Sequence, residues 1–424
     1  MTQMSPPHAQ FPDGFWWGTG NSANQCEGAA PAGDWLPWER AGHAPPSGDG
    51  NGFATRYAED FGLLSGIGLR HFRLSLEWAR LEPEEGRHDQ AEIERYRALL
   101  QAGRDAGLRV WVTAHHFTLP VWFAEMGSFG DERARTYYWR RHIEFLAETF
   151  GDLVFGWKPI NEPHAYALCG WLLGVLPPGR RNMAEAARML VATHLANHEA
   201  WLALRGGGKP VATIHNLSPS IPATGSEADR RAAEIVDELA FGCWIRMMRD
   251  GVLELRGVPG TAAPEPVADP EFAGAFDVVG FSYYSATSVR ASTDPASSSG
   301  VVRGPYPPDG RPGPLGYVPW SGGLRLVLDR LHADLPGKPL LISEYGIGTQ
   351  DDAERSQFIR DGVAIAAEAA GRGVDLRGFF HWTGIDNYEW NLGFSVPFGL
   401  FGVDRVARPS ASIIAHYAGE SHAR

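Results

Sequence analysis

The sequence predicts one α/β domain folded as a closed (β/α)8 TIM barrel with extended βα loops, and three observations support this fold class. Eight short apolar or β-branched runs alternate with segments of helical periodicity along the 424 residues. Neither a G-x-G-x-x-G nor a G-x-x-x-x-G-K-[ST] fingerprint occurs, which favours a closed barrel over an open nucleotide-binding sheet. Polar residues collect at the ends of the runs, where a barrel carries its chemistry.

The predicted strands are short and bounded by polar or turn-forming residues. They are FWWGTG (15–20), HFRLSL (71–76), RVWVTAHH (109–116), FGWKPIN (155–161), VATIHN (211–216), DVVGFSYY (277–284), LLISE (340–344) and GFFHW (378–382). The segments between them show helical spacing of apolar residues. In residues 91–103, five residues share one helical face: Ile93, Tyr96, Leu99, Leu100 and Gly103.

No Pro- and Ser-rich linker divides the chain, so we expect a single domain over residues 1–424, with disordered tails at 1–10 and 418–424. The longest irregular stretch, residues 287–316, follows the sixth strand and should lie over the barrel mouth. We expect its Ser-rich middle to be disordered. The segment GYVPWSGG (316–323) should form a functional rim.

Composition and charge exclude several classes of partner. The net charge is −12 and the 38 basic residues form no cluster, so nucleic acid is not an expected partner. The N-terminal stretch lacks signal-peptide features and no apolar run reaches about 18 residues, so no membrane association is expected. Three distant cysteines without CxxC spacing suggest neither disulfides nor zinc, and therefore a cytoplasmic location. The sequence leaves open whether the protein forms a homo-oligomer.

Two of the predicted strands end in a carboxylate. The fourth run leads into Asn161 and Glu162 and is stopped by Pro163, and the seventh ends at Glu344 in LLISEYGIG (340–348). A single acid at a strand end is more often solvated or paired with a base. Two acids after these strands can face each other across the barrel mouth, and paired carboxyls are what glycosidic bond cleavage requires.

Six ordered motifs over nearly the whole chain resemble glycoside hydrolase family 1, the β-glucosidase family. They are FPDGFWWGTGNSANQCEG, HFRLSLEWARLEP, TAHHFTLPVW, INEP, ISEYG and WTGIDNYEWNLGF. The resemblance implies a retaining exo-β-glycosidase that removes terminal non-reducing β-D-glucosyl residues by double displacement, without a cofactor or metal. Galactosyl and fucosyl residues are further candidates, and transglycosylation is a compatible side reaction. The substrate would be a small glycoside or a short oligosaccharide.

The resemblance also implies roles for individual residues. Glu344 would be the nucleophile and Glu162 the acid/base, with Arg73, Tyr284 and Asn161 as supporting groups. The Glu344 anion and partial burial should raise the pKa of Glu162 and keep it protonated for the first step. The implied substrate-binding residues are Gln25, His116, Asn161, Glu389 and Trp390, with Trp382 as an apolar platform and Tyr317 and Phe398 as further contacts.

Several positions depart from the usual family pattern. Tyr345 and Ser282 each stand where the family has Asn, Phe117 and Thr118 replace a Trp-Asp pair, and Tyr317 replaces Trp. None of these changes removes a catalytic group. Most of them should lie at the rim of the site or behind the residues that contact the sugar, and we expect the surroundings just beyond the nucleophile, at Tyr345, to differ from those of the relatives.

Three other functions are compatible with a barrel. A catalytically weak, sugar-binding pseudoenzyme would typically lack one of the two carboxylates. A metal-dependent hydrolase would need clustered ligands, but His115 and His116 should point to opposite sides of a strand, and His194 and His198 lack the glutamate of H-E-x-x-H. A Schiff-base aldolase would need a strand-end lysine, and Lys158 is placed three residues before the strand end.

Overall fold

The computed structural model describes residues 10–259, 264–294, 297 and 299–422. Eight parallel strands form one sheet in the spatial order β4-β3-β2-β1-β8-β7-β6-β5. They are β1 (Trp16–Gly20), β2 (His71–Ser75), β3 (Arg109–His115), β4 (Gly156–Ile160), β5 (His215–Asn216), β6 (Val279–Tyr283), β7 (Leu340–Tyr345) and β8 (Leu376–His381). Each lies within or overlaps one of the eight predicted runs.

The two ends of this sheet meet and close the barrel. The segment before β5 forms parallel bridges with both neighbours, at Trp157 with Val211 and at Ala212 with Val278. The Trp157 amide donates to the Pro210 carbonyl at 2.9 Å, and the Ala212 amide donates to the Trp157 carbonyl at 2.8 Å. The predicted (β/α)8 barrel is therefore confirmed.

A layer of large apolar side chains fills part of the barrel interior. Trp111, Leu341 and Phe380 are all fully buried there and form one cluster with Ala212 and Val278. Packing at this density leaves no continuous channel through a small barrel. The polar side chains at the carboxyl ends of the strands therefore line a closed-bottomed cavity.

The helices surround the barrel and cover the outward faces of the strands. They are α1 (Ala23–Glu27), α2 (Trp35–Arg40), α3 (Phe53–Gly66), α4 (Trp78–Leu81), α5 (Gln90–Asp105), α6 (Val121–Glu125), α7 (Arg140–Phe150), α8 (Pro163–Leu168), α9 (Met183–Leu204), α10 (Glu227–Asp237), α11 (Cys243–Asp250), α12 (Gly322–Asp334), α13 (Asp352–Gly371) and α14 (Pro409–His422). Three π-helical segments, Ala134–Trp139, Cys169–Leu173 and Glu238–Gly242, and two 3-10 segments, Ser128–Gly130 and Trp390–Ser395, complete the helical structure.

Helix α5 shows how the sequence pattern produces a helix on this barrel. All five residues predicted to share its inner face are buried. The Asp89 side chain accepts hydrogen bonds from the amides of Ala91 and Glu92, at 2.9 and 3.2 Å, and so caps the first turn. The apolar stripe and the capping residue together fix where this helix begins and which face it buries.

The stretch after β6 is more regular than the sequence suggested. Strands Ala286–Ala291 and Val301–Tyr306 pair in antiparallel fashion, and Ser220–Pro222 adds a third, parallel strand. We call the first two the β6 hairpin. The expectation that 287–316 is irregular is thus wrong for most of its first twenty residues. Part of the Ser-rich middle, residues 295, 296 and 298, lies outside the described residues.

A second short ribbon pairs Val252–Leu253 with Val267–Ala268. The expectation of a disordered tail from residue 418 is also wrong for residues 418–422. Helix α14 continues to His422, and Ala418 within it is fully buried. Residues 1–9, 423 and 424 lie outside the described residues, and no described helix is long and apolar enough to cross a membrane.

Candidate active site

Glu344 lies near the carboxyl end of β7, where its side chain is buried at the barrel mouth. Two donors contact its carboxyl group. Arg73 Nη2 donates to Oε1, and the Tyr284 hydroxyl donates to Oε2. Charge-assisted hydrogen bonds of this kind fix both position and orientation. The carboxyl group is therefore held rigidly, with one oxygen on β2's arginine and the other on the tyrosine that follows β6.

Arg73 also connects Glu344 to neighbouring strands. The guanidinium is completely buried, donates to Asn161 Oδ1 at 2.7 Å and to the Asn21 carbonyl at 3.2 Å, and lies 5.4 Å from the Trp382 ring centroid. Its Nη1 is 3.2 Å from His116 Nδ1. The Arg73 side chain thus contacts residues at the carboxyl ends of β1, β3, β4, β7 and β8, which are far apart in the sequence.

The contact with Arg73 determines the tautomer of His116. Burial and the neighbouring Arg73 charge lower the pKa of His116 well below its usual value, so the ring is neutral. A guanidinium is always a donor, so Nδ1 must accept from it and the proton must reside on Nε2. His116 can therefore offer a single N–H donor to a ligand.

Glu162 follows β4 in a left-handed backbone conformation, with φ 48° and ψ 63°. This conformation costs a non-glycine residue about 1–2 kcal/mol. The Glu162 amide donates to the Ile214 carbonyl at 2.9 Å, and Pro163 begins α8 immediately afterwards. These restraints hold the side chain in the cavity, where Asn216 Nδ2 donates to its Oε2 at 3.2 Å.

The surroundings of Glu162 favour its protonated form. Burial, and secondly the negative charge of Glu344, raise the pKa of Glu162 to about 8, while Ser282 and Asn216 act in the opposite direction. Glu162 is therefore a neutral carboxylic acid near pH 7. The two carboxyls differ chemically: Glu344 accepts from a guanidinium and a phenol, whereas Glu162 accepts from the side-chain amide of Asn216.

The two carboxyls line one cavity of about 220 Å³. Eleven of the twelve predicted site residues line it, and the twelfth, Arg73, lies behind Glu344. The lining residues are Gln25, His116, Phe117, Asn161, Glu162, Asn216, Tyr284, Leu315, Tyr317, Glu344, Trp382, Glu389, Trp390 and Phe398. Asn216, Phe117 and Leu315 were not among the predicted site residues.

Glu389 forms a second polar corner of the cavity together with Gln25. Gln25 Nε2 donates to Glu389 Oε2 at 3.3 Å and to the Tyr388 carbonyl at 2.9 Å, while Ser22 Oγ donates to Gln25 Oε1 at 2.7 Å. Burial, followed by the charges of Glu344 and Glu162, raises the pKa of Glu389 to about 8. The cavity therefore holds two carboxyls with raised pKa values.

Aromatic rings form the walls between these polar groups. The His116 ring is nearly parallel to both Trp382 and Trp390, with centroids 6.1 Å away in each case. Trp390 packs edge-on against Trp35 at 4.9 Å, and Trp382 clusters with Phe398. Flat apolar faces beside directed polar groups suit a pyranose ring, which has C–H faces and an equatorial belt of hydroxyls.

Comparisons with known proteins agree with this geometry. A family model described as glycosyl hydrolase family 1 matches residues 7–418. The chain belongs to glycosyl hydrolase family 1. It is 30% identical to a thermostable β-glucosidase B from Thermobispora bispora, over 95% of this chain and 89% of that protein. It is 27% identical to β-glucosidase A from Thermotoga maritima, over 93% of each.

Solved structures of the family have the same fold. A β-glycosidase from Pyrococcus horikoshii superposes with a TM-score of 0.89 at 30% identity, covering 98% of this chain and 96% of that one. A psychrophilic β-glucosidase from Micrococcus antarcticus gives a TM-score of 0.88 at 26% identity, with coverage of 97% and 98%. This chain is therefore a glycosyl hydrolase on the family's (β/α)8 barrel.

The residues that depart from the family pattern differ in their distance from the cavity. Tyr345 points away from the cavity: its hydroxyl donates to the Phe358 carbonyl at 2.9 Å and its ring stacks on Phe358 at 4.4 Å. The expectation that Tyr345 alters the immediate surroundings of Glu344 is therefore wrong. Thr118 also lies outside the cavity, where it donates to Glu77 Oε2 at 2.8 Å.

Three other departures remain close to the cavity. Phe117 and Tyr317 line it, and the Phe117 ring is 5.4 Å from Trp390. Ser282 is fully buried and is the register partner of both Asn216 and Glu344. Among the departures, these three therefore lie in or next to the cavity.

His115 and Lys158, which the alternative mechanisms would use, lie outside the cavity. His115 faces away from His116, with its ring against Phe129 and Tyr166 at 5.1 and 4.7 Å. Lys158 is fully buried inside the barrel, and its Nζ donates to Ser343 Oγ at 3.0 Å. In the part of the chain that the structure describes, no three His, Cys, Asp or Glu side chains are grouped as metal ligands.

Proposed function

We propose that this chain is a retaining exo-β-glucosidase that removes terminal non-reducing β-D-glucosyl residues from small glycosides or short oligosaccharides. The observation that carries the proposal is the pair of unlike carboxyls in one cavity. Glu344 is held by Arg73 and Tyr284, whereas the pKa of Glu162 is raised to about 8. A nucleophile must be an anion and a general acid must be protonated, so the two environments fit the two roles.

In the first step, Glu344 attacks the anomeric carbon while the bond from that carbon to the leaving oxygen breaks. Glu162 transfers its proton to that oxygen, so the aglycone departs as a neutral alcohol. The glucosyl residue is then joined to Glu344 as an ester. Arg73 and Tyr284 keep the attacking oxygen aligned throughout this step.

In the second step Glu162 acts as a base instead of an acid. Esterification removes the charge of Glu344, which is one of the two main causes of the raised pKa of Glu162. The pKa of Glu162 falls, and the residue accepts a proton from water as that water attacks the anomeric carbon. Two inversions give net retention of configuration. An alcohol in place of water would give transglycosylation.

The remaining cavity residues would bind the sugar. We propose that Gln25, His116, Asn161 and Glu389 hold its hydroxyls, with His116 donating through Nε2. Trp382 would support the C–H face, and Trp390, Phe398 and Tyr317 would complete the walls. Glucosyl is the favoured glycone because the relatives in these comparisons are β-glucosidases and β-glycosidases. Galactosyl and fucosyl residues remain the alternatives.

A panel of aryl β-glycosides tests this proposal on the parent and three variants. We expect the parent to cleave the β-glucoside with release of β-glucose, detected by proton NMR before mutarotation. Glu344→Gln should be inactive, and Glu162→Ala should retain activity mainly on good leaving groups. Glu148→Gln, an exposed residue on α7, is the matched control. A parent that cleaves no β-glycoside, or releases the α-anomer, would refute the proposal.

We also propose that the chain acts as one catalytic domain in the cytoplasm. The family match over residues 7–418 supports the first statement. The three cysteines, Cys26, Cys169 and Cys243, are all free, which suits a reducing compartment. Fractionation of cells that express the protein tests the location, and recovery in an extracellular fraction would contradict it.

A further inference from the structure

A second cavity adjoins the one that contains the carboxyl pair. Its volume is about 520 Å³, and it shares Asn216, Tyr284, Leu315 and Tyr317 with the first cavity. The β6 hairpin forms one of its walls. The two cavities therefore adjoin each other, and Asn216, which donates to Glu162, lies at their boundary.

The position of Glu162 identifies which part of the substrate enters the second cavity. The general acid must reach the oxygen that leaves, so the aglycone departs on the side of Glu162. Asn216 donates to Glu162 and lines both cavities. The second cavity is therefore where the aglycone lies.

Among the residues that the structure describes, the one charged side chain that lines this cavity is Arg303, on the second strand of the β6 hairpin. Its Nη2 donates to Thr287 Oγ1 at 3.1 Å, which uses one of its five donors. Thr287 is in turn 3.0 Å from Ser218 Oγ. Among the described residues, no carboxylate lies within ion-pair distance of Arg303.

An unpaired arginine at this point has an electrostatic consequence. The protein carries a net charge of −12, and the nucleophile Glu344 lies in the adjoining cavity. An anionic aglycone would be repelled by such surroundings unless a cation faced it. Guanidinium groups match carboxylates geometrically, through two parallel hydrogen bonds.

The rest of the lining suits an aromatic ring. Leu173, Leu315, Pro305, Tyr284 and Tyr317 present apolar surface to the same space as Arg303. An aryl group bearing a carboxylate would place its ring against these side chains and its charge on Arg303. Ser218, Ser285 and Thr287 also line this space, so the cavity combines apolar surface, hydroxyl groups and a cation.

We propose that Arg303 makes the second cavity selective for aromatic aglycones that carry a carboxylate. The inference rests on the proposed β-glucosidase function, because it assigns the leaving-group side of that reaction. Arg303 is a specificity-determining residue in this account and takes no part in bond cleavage.

Two substrates that differ in charge and by one methyl group test the proposal. They are 4-(carboxymethyl)phenyl β-D-glucoside and its methyl ester, whose phenols have nearly the same acidity because a methylene group insulates the carboxyl. At pH 6.5 the acid is ionised. We expect the parent to show a kcat/KM about fivefold higher for the acid than for the ester, the upper range for a partly exposed ion pair, and to lose this preference at high salt.

Three variants distinguish Arg303 from a general charge effect. Arg303→Gln should remove the preference for the acid while leaving kcat/KM for the ester within about twofold of the parent. Arg303→Lys should retain part of the preference for the acid. Arg290→Gln is the matched control, since Arg290 is exposed on the neighbouring strand of the same hairpin and does not line the cavity.

The outcomes separate this inference from the proposed function. If the parent cleaves the ester as well as the acid, or if Arg303→Gln keeps the preference, the inference is wrong and the β-glucosidase proposal stands. If Arg290→Gln loses the preference equally, the effect comes from overall charge and the inference is also wrong. If the parent cleaves neither substrate, both proposals fail.

Discussion

Removing the charge of Glu344 should lower the pKa of Glu162, which follows β4. In the parent, burial and Glu344 together raise the pKa of Glu162 from 4.5 to about 8. At pH 6, a carboxyl group with a pKa of about 8 is about 99% protonated, whereas one at 4.5 is about 3% protonated. The environment thus raises the population of the catalytic acid by a factor of about 30. In Glu344→Gln the electrostatic cause is lost and burial remains, so the pKa of Glu162 should fall below 8 and stay above 4.5.

The assay is a carbon-13 NMR titration of protein labelled at the glutamate carboxyls, with Glu162→Gln used to assign the Glu162 signal. The parent should also show a basic limb near pH 8 in kcat/KM for a glucoside with a poor leaving group. Glu148→Gln, which lies on the surface, should leave the Glu162 titration unchanged. A parent in which Glu162 titrates near 4.5, or a Glu344→Gln variant that titrates like the parent, would refute the reasoning.

Three further predictions follow from individual residues. Glu162→Ala should lower kcat/KM by about 10²–10⁴ on poor leaving groups and far less on 2,4-dinitrophenyl glucoside, because only the former need an acid; equal losses on both would contradict the role. The folded-state pKa of Glu389, about 8, lies above its ordinary 4.5, so the parent loses stability as the pH rises between these values. Glu389→Gln should therefore raise Tm at pH 8 and not at pH 4, and a gain of equal size at both would count against this account. Burial and the Arg73 charge lower the pKa of Lys158 well below its usual value, so the folded protein holds this proton less tightly than the unfolded chain and loses stability below the ordinary pKa of lysine. Lys158→Met should raise Tm near pH 7, with a gain that shrinks towards pH 10; a lower Tm would show that the amine stabilises the barrel.

The barrel could be predicted from the sequence because each strand is a short run bounded by polar or turn residues. The β6 hairpin could not be predicted, since its strands include Gly304 and Pro305 and flank a Ser-rich stretch of sequence. Such residues are depleted in strands, and the pairing with Ser220–Pro222 that supports the hairpin is a long-range contact. The helical residues after 417 were not predicted because Ala418 is buried by the fold, and local composition does not reveal such packing.

The site residues were predicted more completely than the loops, because both the sequence motifs and the polar residues at strand ends indicate them. The errors concern the direction of side chains. Tyr345 was expected beside the nucleophile, but successive residues of a strand alternate, and with Glu344 inside the barrel its neighbour faces α13. Asn216 was omitted although it ends a strand; the same alternation places it inside, because His215 stacks outward on Trp244 at 3.9 Å.

The central claim is that Glu344 becomes covalently bonded to the sugar, and trapping that intermediate tests it most directly. A 2-deoxy-2-fluoro-β-glucosyl fluoride should glycosylate the enzyme quickly enough to accumulate, because the fluorine at C2 slows hydrolysis of the ester. Mass spectrometry of the digested protein should then find the fluoroglucosyl group on the peptide that contains Glu344, and none on Glu344→Gln. A label on any other residue, or rapid turnover of the reagent with release of the α-anomer, would contradict the account.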